Sequence, residues 1–281
     1  MKIKGHIDSH NHLAKVLGDS PELLAQWIPE AEAKGIGFFM QGGIDPDDWN
    51  RQLELRQRLP NQIGLCFGVH PYVAASKTVE ELDPILDQLA RLLGQQQKEQ
   101  QQTNAILAIG EMGLDFRPAY TEKGRDSQIH ALETQIELAD WTGLPMVFHI
   151  VQAHPEAERI FSLWAPKNKR GLIHSYSGSL EQSEFWTKQG LLISIGGPVC
   201  HEKNKKARKL AKHVPLEFLC LETDSPDQPP PAYNKGENPP KTLLDVAKTI
   251  GELRNLDAEE ILAISNRNFL RVFANDKIAK V

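Results

Sequence analysis

Five of the ten histidines in this 281-residue chain, His10, His12, His70, His149 and His174, stand at or just past the end of a short apolar run. A neutral imidazole is the commonest protein ligand for divalent metals. In Asp8-Ser9-His10-Asn11-His12 the two histidines are two apart, so on a strand both face one side, with Asp8 behind them. Glu111 closes the apolar run before Met112-Gly113, and its two oxygens can bridge two ions as an imidazole cannot. Asp224, in Leu221-Glu222-Thr223-Asp224-Ser225-Pro226, leaves the last such run, where a carboxylate binds metal and takes a proton from attacking water. Glu222 shares its direction, either as support for that centre or as half of a buried salt bridge. His10, His12, His149 and His174 with Glu111 and Asp224 give four nitrogens and two carboxylates. That exceeds one tetrahedral site and predicts one or two divalent ions (Zn, Mg, Mn or Ni) performing metal-assisted hydrolysis.

Such a set has to be gathered by a scaffold. Candidate strands are His6–Leu13, Ile36–Gln41, Ile63–Gly68, Ala105–Glu111, Met146–His149, Leu172–His174, Leu191–Ile195 and Glu217–Glu222. Each is a continuous apolar run, as expected of parallel strands covered on both faces. Helical periodicity falls at Pro21–Lys34, Val79–Leu93, Asp126–Thr142, Ser179–Gln189, Asn204–His213, Lys241–Arg254 and Ala258–Phe273. Eight units of about 35 residues predict an α/β fold, a single (β/α)8 barrel over residues 1–281, with its metal centre on the C-terminal face. The glutamine-rich stretch Gln95–Gln102 reads as a solvated extension of the helix before it.

Composition sets outer bounds. With 40% apolar and 25% charged residues the chain is globular, neither disordered nor collagen-like. Its 32 basic and 37 acidic residues give a net charge of −5 and exclude a bulk nucleic-acid coat. No apolar run reaches the ~20 residues of a membrane span, and the N-terminus lacks a signal-peptide core. Three widely spaced cysteines, Cys66, Cys200 and Cys220, predict a reduced, cytoplasmic protein.

The motifs Asp8–His12, Gly68-Val69-His70-Pro71, Gly110-Glu111-Met112-Gly113-Leu114-Asp115, His174-Ser175-Tyr176-Ser177-Gly178 and Glu222–Pro226 resemble the TatD family of metal-dependent deoxyribonucleases. Gln128, Gln135, Asn238-Pro239 and Asn268-Phe269…Phe273 extend the match along nearly the whole chain. The resemblance implies a barrel hydrolase that cleaves phosphodiester bonds, often as a 3′-exonuclease. It places the metals on His10, His12, Glu111, His149, His174 and Asp224, and His70 in the active site as a phosphate or substrate contact. Three positions depart from the family pattern. Ala14 follows Leu13 where an acid or amide is usual, Tyr72 follows His70-Pro71, and Val151 stands where an arginine is typical.

The expected catalytic groups are Asp224 as base, Glu111 and His70, with DNA, in single-stranded form, as substrate and no obligate protein partner. The basic stretch His201–Lys209 follows the seventh strand, where barrels often hold phosphate, and is either a seat for the DNA backbone or a solvated helix. Trp164, Trp186 and Tyr176 are either base-stacking or core residues, the core being their plainer reading. One rival is an amidohydrolase-type barrel acting on a small ester, lactone or C–N bond. A second is a catalytically idle binding protein on the same scaffold, against which all six ligand positions stand.

Overall fold

The computed structural model describes residues 3–98, 105–122, 124–234 and 236–274. The first half runs β1 (His6–Asn11), α1 (Leu13–Asp19), α2 (Pro21–Glu32), β2 (Ile36–Gln41), α3 (Pro46–Arg58), β3 (Ile63–Phe67), α4 (Pro71–Ala75), α5 (Val79–Lys98) and β4 (Ile106–Asp115). There follow α6 (Pro118–Thr121), α7 (Arg125–Thr142), β5 (Met146–Val151), α8 (His154–Trp164), β6 (Gly171–Ile173) and α9 (Leu180–Lys188). The last elements are β7 (Leu192–Ile195), α10 (Lys205–His213), β8 (Leu219–Leu221), α11 (Leu243–Arg254) and α12 (Ala258–Phe273).

Eight parallel strands pair in sequence order from β1 to β8, forming a nearly closed barrel. Their apolar runs are continuous because alternate residues serve two cores. Phe38, Met40, Cys66, Val147, Leu172, Leu192 and Cys220 fill the interior. Phe39, Leu65, Phe67, Phe148, Ile173 and Ile193 face the helices. Three residues of α12, Phe269, Val272 and Phe273, join the interior set, with Phe269 6.0 Å from the Phe38 ring. Helix α12 thereby stoppers the N-terminal end, leaving the C-terminal end for polar side chains.

The ring is completed where the chain beyond β8 returns to β1. The Asp224 amide donates to His10 O (3.0 Å) and the His12 amide to Ser225 O (2.7 Å). Beneath them the Asp8 carboxylate accepts from the Thr223 amide (2.9 Å), the Thr223 hydroxyl and Asn11 Nδ2 (3.1 Å). Asp8 thus belongs to this seam rather than behind the two imidazoles.

The largest differences from the sequence expectation are in β4, which runs four residues beyond Glu111, and in helices α1, α3 and α8, which were not among the expected helices. In α3 the buried face mixes Trp49 and Leu55 with polar groups: Gln52 donates to Gly42 O (3.2 Å) and Cys66 O (2.9 Å), and Asp48 accepts from the Ile44 amide (3.2 Å). The glutamine-rich stretch is helical through Lys98, and residues 99–102 lie outside the described residues. Gln96 there is more than solvated, since its amide clamps both backbone groups of Ile106 at the start of β4. Among the described residues no helix is long and apolar enough to cross a membrane.

The seam gives a stability test. Thr223→Val keeps the shape but removes one donor from a buried carboxylate, which should cost about 1–3 kcal/mol. A urea midpoint unchanged from wild type would show that the seam does not hold the barrel closed.

Candidate metal centre

Glu111 is the middle of the site because of a local irregularity in β4. Gly110 pairs with Val147 and Met112 with Phe148, so Glu111 is an extra residue on its strand. Such a bulge re-aims a side chain. Gly110 takes φ +148, and a Cβ there would lie 2.4 Å from Val147 O, so only glycine fits beside the bulge. The freed Glu111 amide donates across to Gly43 O (2.9 Å).

The fully buried Glu111 carboxylate then faces two nests. Its Oε1 lies 3.5 Å from His10 Nε2 and 3.3 Å from His12 Nε2, and those nitrogens lie 3.8 and 3.5 Å from Asp224 Oδ1. Its Oε2 lies 2.7 Å from His174 Nε2, 3.5 Å from His149 Nδ1 and 3.6 Å from His70 Nε2. The structure therefore brings together all seven sequence-predicted residues.

Their supports are specific. His149 Nε2 is 3.3 Å from Asp115 Oδ2, and Asp115 is held in turn by the Arg117 guanidinium. Asp224 sits at φ +57, a conformation sparsely used by non-glycine residues, fixed by its amide bond to His10 O. Gln228 Nε2 donates to the second Asp224 oxygen, and its Oε1 accepts from Ser175 Oγ (2.8 Å). Glu222 accepts from the Ser175 amide and lies 3.8 Å from His174 Nδ1, so it supports the centre and is not part of a Lys or Arg salt bridge.

The electrostatics follow from burial and this crowding. Burial raises the Glu111 carboxyl, but His174, His10, His70 and His12 outweigh it and hold it well below its usual range. Burial and then His174 push His10 down to about 4. His12 loses charge to burial but gains more from Glu111 and Asp224, reaching about 10. His149 behaves likewise against Asp115 and Glu111, reaching about 9. Burial raises Asp224, yet His12, His174 and His10 bring it to about 2. Burial and the neighbouring Asp224 push Glu222 well up, so it is the protonated carboxyl of the pair.

Whether these groups fit a metal is decided by their unpartnered atoms. His10 Nδ1 and Nε2, both Glu111 oxygens and Asp224 Oδ1 are buried and make no hydrogen bond among the described residues. Polar atoms are not left so unless something else binds them. The separations of 3.3–3.8 Å in the first nest match the ~3.4 Å edge of a tetrahedron with ligands at about 2.0–2.1 Å. Gly42 keeps that space open, since a Cβ there would lie 2.5 Å from Glu111 Oε1 and 2.6 Å from both the His10 and His12 rings. Histidines and carboxylates converge in three overlapping groups able to hold an ion: His10–His12–Glu111, His10–His174–Asp224 and His70–Glu111–His149.

Residues 7–274 match the family model described as TatD related DNase. The chain belongs to the TatD family. It is 29% identical over 266 residues to an uncharacterized metal-dependent hydrolase, YabD, of Bacillus subtilis (strain 168), covering 95% of this chain and 98% of that protein. Against the 3′-5′ ssDNA/RNA exonuclease TatD of Pantoea sp. (strain At-9b) identity is 32% over 253 residues, covering 88% and 92%. The crystal structure of YJJV, a TatD homologue of Escherichia coli K12, superposes with a TM-score of 0.83 at 25% identity, covering 96% and 98%. The protein is thus a TatD-family metal-dependent hydrolase.

Several site residues of this TatD-family hydrolase escaped the sequence reading. Asp115 was read only as the end of the Gly110–Asp115 motif, with no role, Arg117 lies beyond the point where β4 was expected to stop, and Gly42 has no side chain to attract notice. The aromatic expectation divides differently. Trp186 is fully buried among Phe148, Phe161 and Phe185, and Tyr176 is buried with its hydroxyl on Ser179 O. Trp164 ends α8, which runs away from the mouth. The aromatic rings at the mouth are Tyr72, 38% exposed and 4.2 Å from the His70 ring, and Tyr120, with the Arg117 guanidinium 5.2 Å from its centre. Tyr72 was noted only as a departure from the family pattern, and Tyr120 was not singled out.

Two measurements test this centre. In metal-free protein at pH 7, His12 and His149 carry protons that an arriving cation must displace. Metal binding should release about two protons and tighten by about tenfold per proton for each unit rise between pH 7 and 9. Calorimetry in buffers of different ionisation enthalpy reads this directly, and a buffer-independent heat would contradict it. Gly42→Ala should lower metal content, and because the added Cβ also crowds Glu111, His10 and His12 it should cost the metal-free protein about 1–3 kcal/mol while leaving a cooperative unfolding transition. Undiminished metal content would show that the space beside Gly42 is not used.

Proposed function

We propose that this hydrolase is a divalent-metal-dependent 3′-to-5′ exonuclease acting on single-stranded DNA, with the whole chain as one catalytic domain working in the cytoplasm. The observation that carries the reading is Glu111, a single buried carboxylate shared by five imidazoles with Asp224 opposite. His10, His12, Glu111, His149, His174 and Asp224 would hold one or two ions, of Zn, Mg, Mn or Ni. Bound there, such ions supply positive charge for phosphoryl oxygens and lower the pKa of water toward ~7. The relative named a 3′-5′ ssDNA/RNA exonuclease supports the substrate class. So does the rim, where Arg117 at one side and Lys205 and Lys206 at the start of α10 present cations to solvent. Three free thiols, Cys66, Cys200 and Cys220, fit a reducing compartment.

The chain's own residues divide the work. Asp224 is ionised at neutral pH and presents Oδ1 to the centre while Gln228 restrains its other oxygen, so it can accept the proton of the attacking water. His70 Nδ1 accepts from the Tyr72 amide (3.1 Å), so the neutral ring carries its proton on Nε2. That proton faces the centre and suits a phosphoryl oxygen better than a metal. Burial, and then His149, keep His70 neutral by pushing its pKa well down. Arg117 stands beside Val151, since Asp115 pairs with Val151 across β4 and β5, and returns a guanidinium to the side where the family arginine is missing. Water attacks phosphorus, the bond from phosphorus to the 3′ oxygen of the penultimate nucleotide breaks, and that oxygen takes a proton. The terminal nucleotide leaves as a nucleoside 5′-monophosphate.

The direct test is shortening of 5′-labelled single-stranded DNA with Mg, Mn or Zn, with EDTA as control. Stepwise loss from the 3′ end is expected, abolished by EDTA and reduced at least ~10²-fold by Asp224→Asn. Intact DNA beside turnover of small esters, lactones or amides would move the protein to the amidohydrolase-type reading. Undiminished cleavage by Asp224→Asn would remove that residue from proton transfer.

A further inference from the structure

A cavity of about 160 Å³ opens on the mouth face between the loops after β6 and β7 and the start of α10. Its walls are mainly hydrocarbon, from Ile195, Pro198, Val199, Ala207 and Leu210. Its inner edge is Ser175 and Gln228, the pair whose hydrogen bonds reach Glu222 and Asp224. An occupant would therefore touch the residues that hold the proposed base. At the outer lip, the Lys206 ammonium donates to Ser177 O and ties α10 to the β6 loop.

The hydrocarbon walls disfavour a phosphate inside the cavity, because a dianion would leave water for hydrocarbon, and the lining cation, Lys206, stands at the lip and already donates to Ser177 O. They suit a flat ring, and apolar cavities of roughly 150 Å³ take up benzene. Of the polar residues in its lining, Asn204 stands at the start of α10. Asn204 Oδ1 caps α10 by accepting from the Ala207 amide (3.1 Å), while its Nδ2 has no partner among the described residues. An amide N–H at the rim matches a ring carbonyl, which both pyrimidine bases carry.

We propose that this cavity is the seat of the 3′-terminal nucleobase, sized for one ring and so selective for pyrimidines. The assignment rests on the exonuclease reading, which supplies a nucleotide with its phosphate at the centre and its base one residue beyond Asp224. It makes Val199, Asn204 and Ala207 specificity residues that take no part in the chemistry.

The test uses metal-loaded protein and reads binding as well as cleavage. Thymidine 5′-monophosphate should bind wild type at least about tenfold more tightly than deoxyribose 5-phosphate, in line with the apolar surface a base buries. Ala207→Leu, which fills the cavity with a good helix former, should bring the two within about twofold while leaving deoxyribose 5-phosphate affinity unchanged. Asn204→Ser keeps a capping oxygen and should lose only part of the preference. Oligonucleotides ending in dT or dC should be shortened about fivefold faster than those ending in dA or dG, a difference on the scale of one small contact. Equal binding of the two phosphates by wild type, a preference that survives Ala207→Leu, or purine ends cut as fast as pyrimidine ends would each overturn the proposal. Base-dependent binding without any DNA cleavage would instead defeat the exonuclease reading and leave the cavity as a mononucleotide site.

Discussion

Everything at the mouth is organised by the cost of burying the Glu111 charge. A carboxylate fully removed from water is stable only if surrounded by donors or cations. Here the surroundings are imidazoles from β1, β3, β5 and β6, each within 2.7–3.6 Å of one of its two oxygens. No strand supplies enough partners alone, so the carboxylate can be satisfied only when the barrel has brought at least four strands to one point. The bulge that aims Glu111 inward and the glycine on each side of the problem, Gly110 behind and Gly42 in front, are the backbone's contribution to that arrangement.

Crowding of this kind also divides the histidines by chemistry. His12, against Glu111 and Asp224, and His149, against Asp115 and Glu111, gain protons, while His10, although 3.8 Å from Asp224, and His70 lose them to burial and to neighbouring imidazoles. A centre made of identical side chains thus contains both proton-holding and proton-free positions. The difference comes from what lies behind each ring rather than from the ring itself.

The barrel was legible because its strands serve two apolar faces and so stand out as unbroken runs. The metal-site side chains were legible because histidine and acid at strand ends are chemically conspicuous. What stayed hidden has an equally physical reason. Helix α3 buries Asp48, Gln52 and Arg56 beside Trp49 and Leu55, with Gln52 donating to the Gly42 and Cys66 carbonyls and Asp48 accepting from the Ile44 amide, so its apolar stripe is interrupted. The last turn of β4, Gly113-Leu114-Asp115, reads as a loop because a glycine interrupts it, although the ladder to β5 continues through Asp115. Asp8 was placed with the centre because strand alternation is blind to a partner 215 residues away, Thr223. Trp186 follows the plainer of its two sequence readings and lies in the core.

That distance along the chain has a consequence for how the protein is made. The seam joins Asp8 to Thr223, and the stopper joins the Ile7 amide to Asn266 Oδ1 (2.9 Å), a separation of 259 residues. During synthesis the first strand emerges long before the segment after β8 that covers its other edge, so that edge waits for contacts of large sequence separation. Asp224 belongs to the same late segment. The last of the site histidines, His174, is made only after more than half of the 281-residue chain, and Asp224 later still, so the hydrolytic centre stays incomplete until the second half of the barrel has been synthesised.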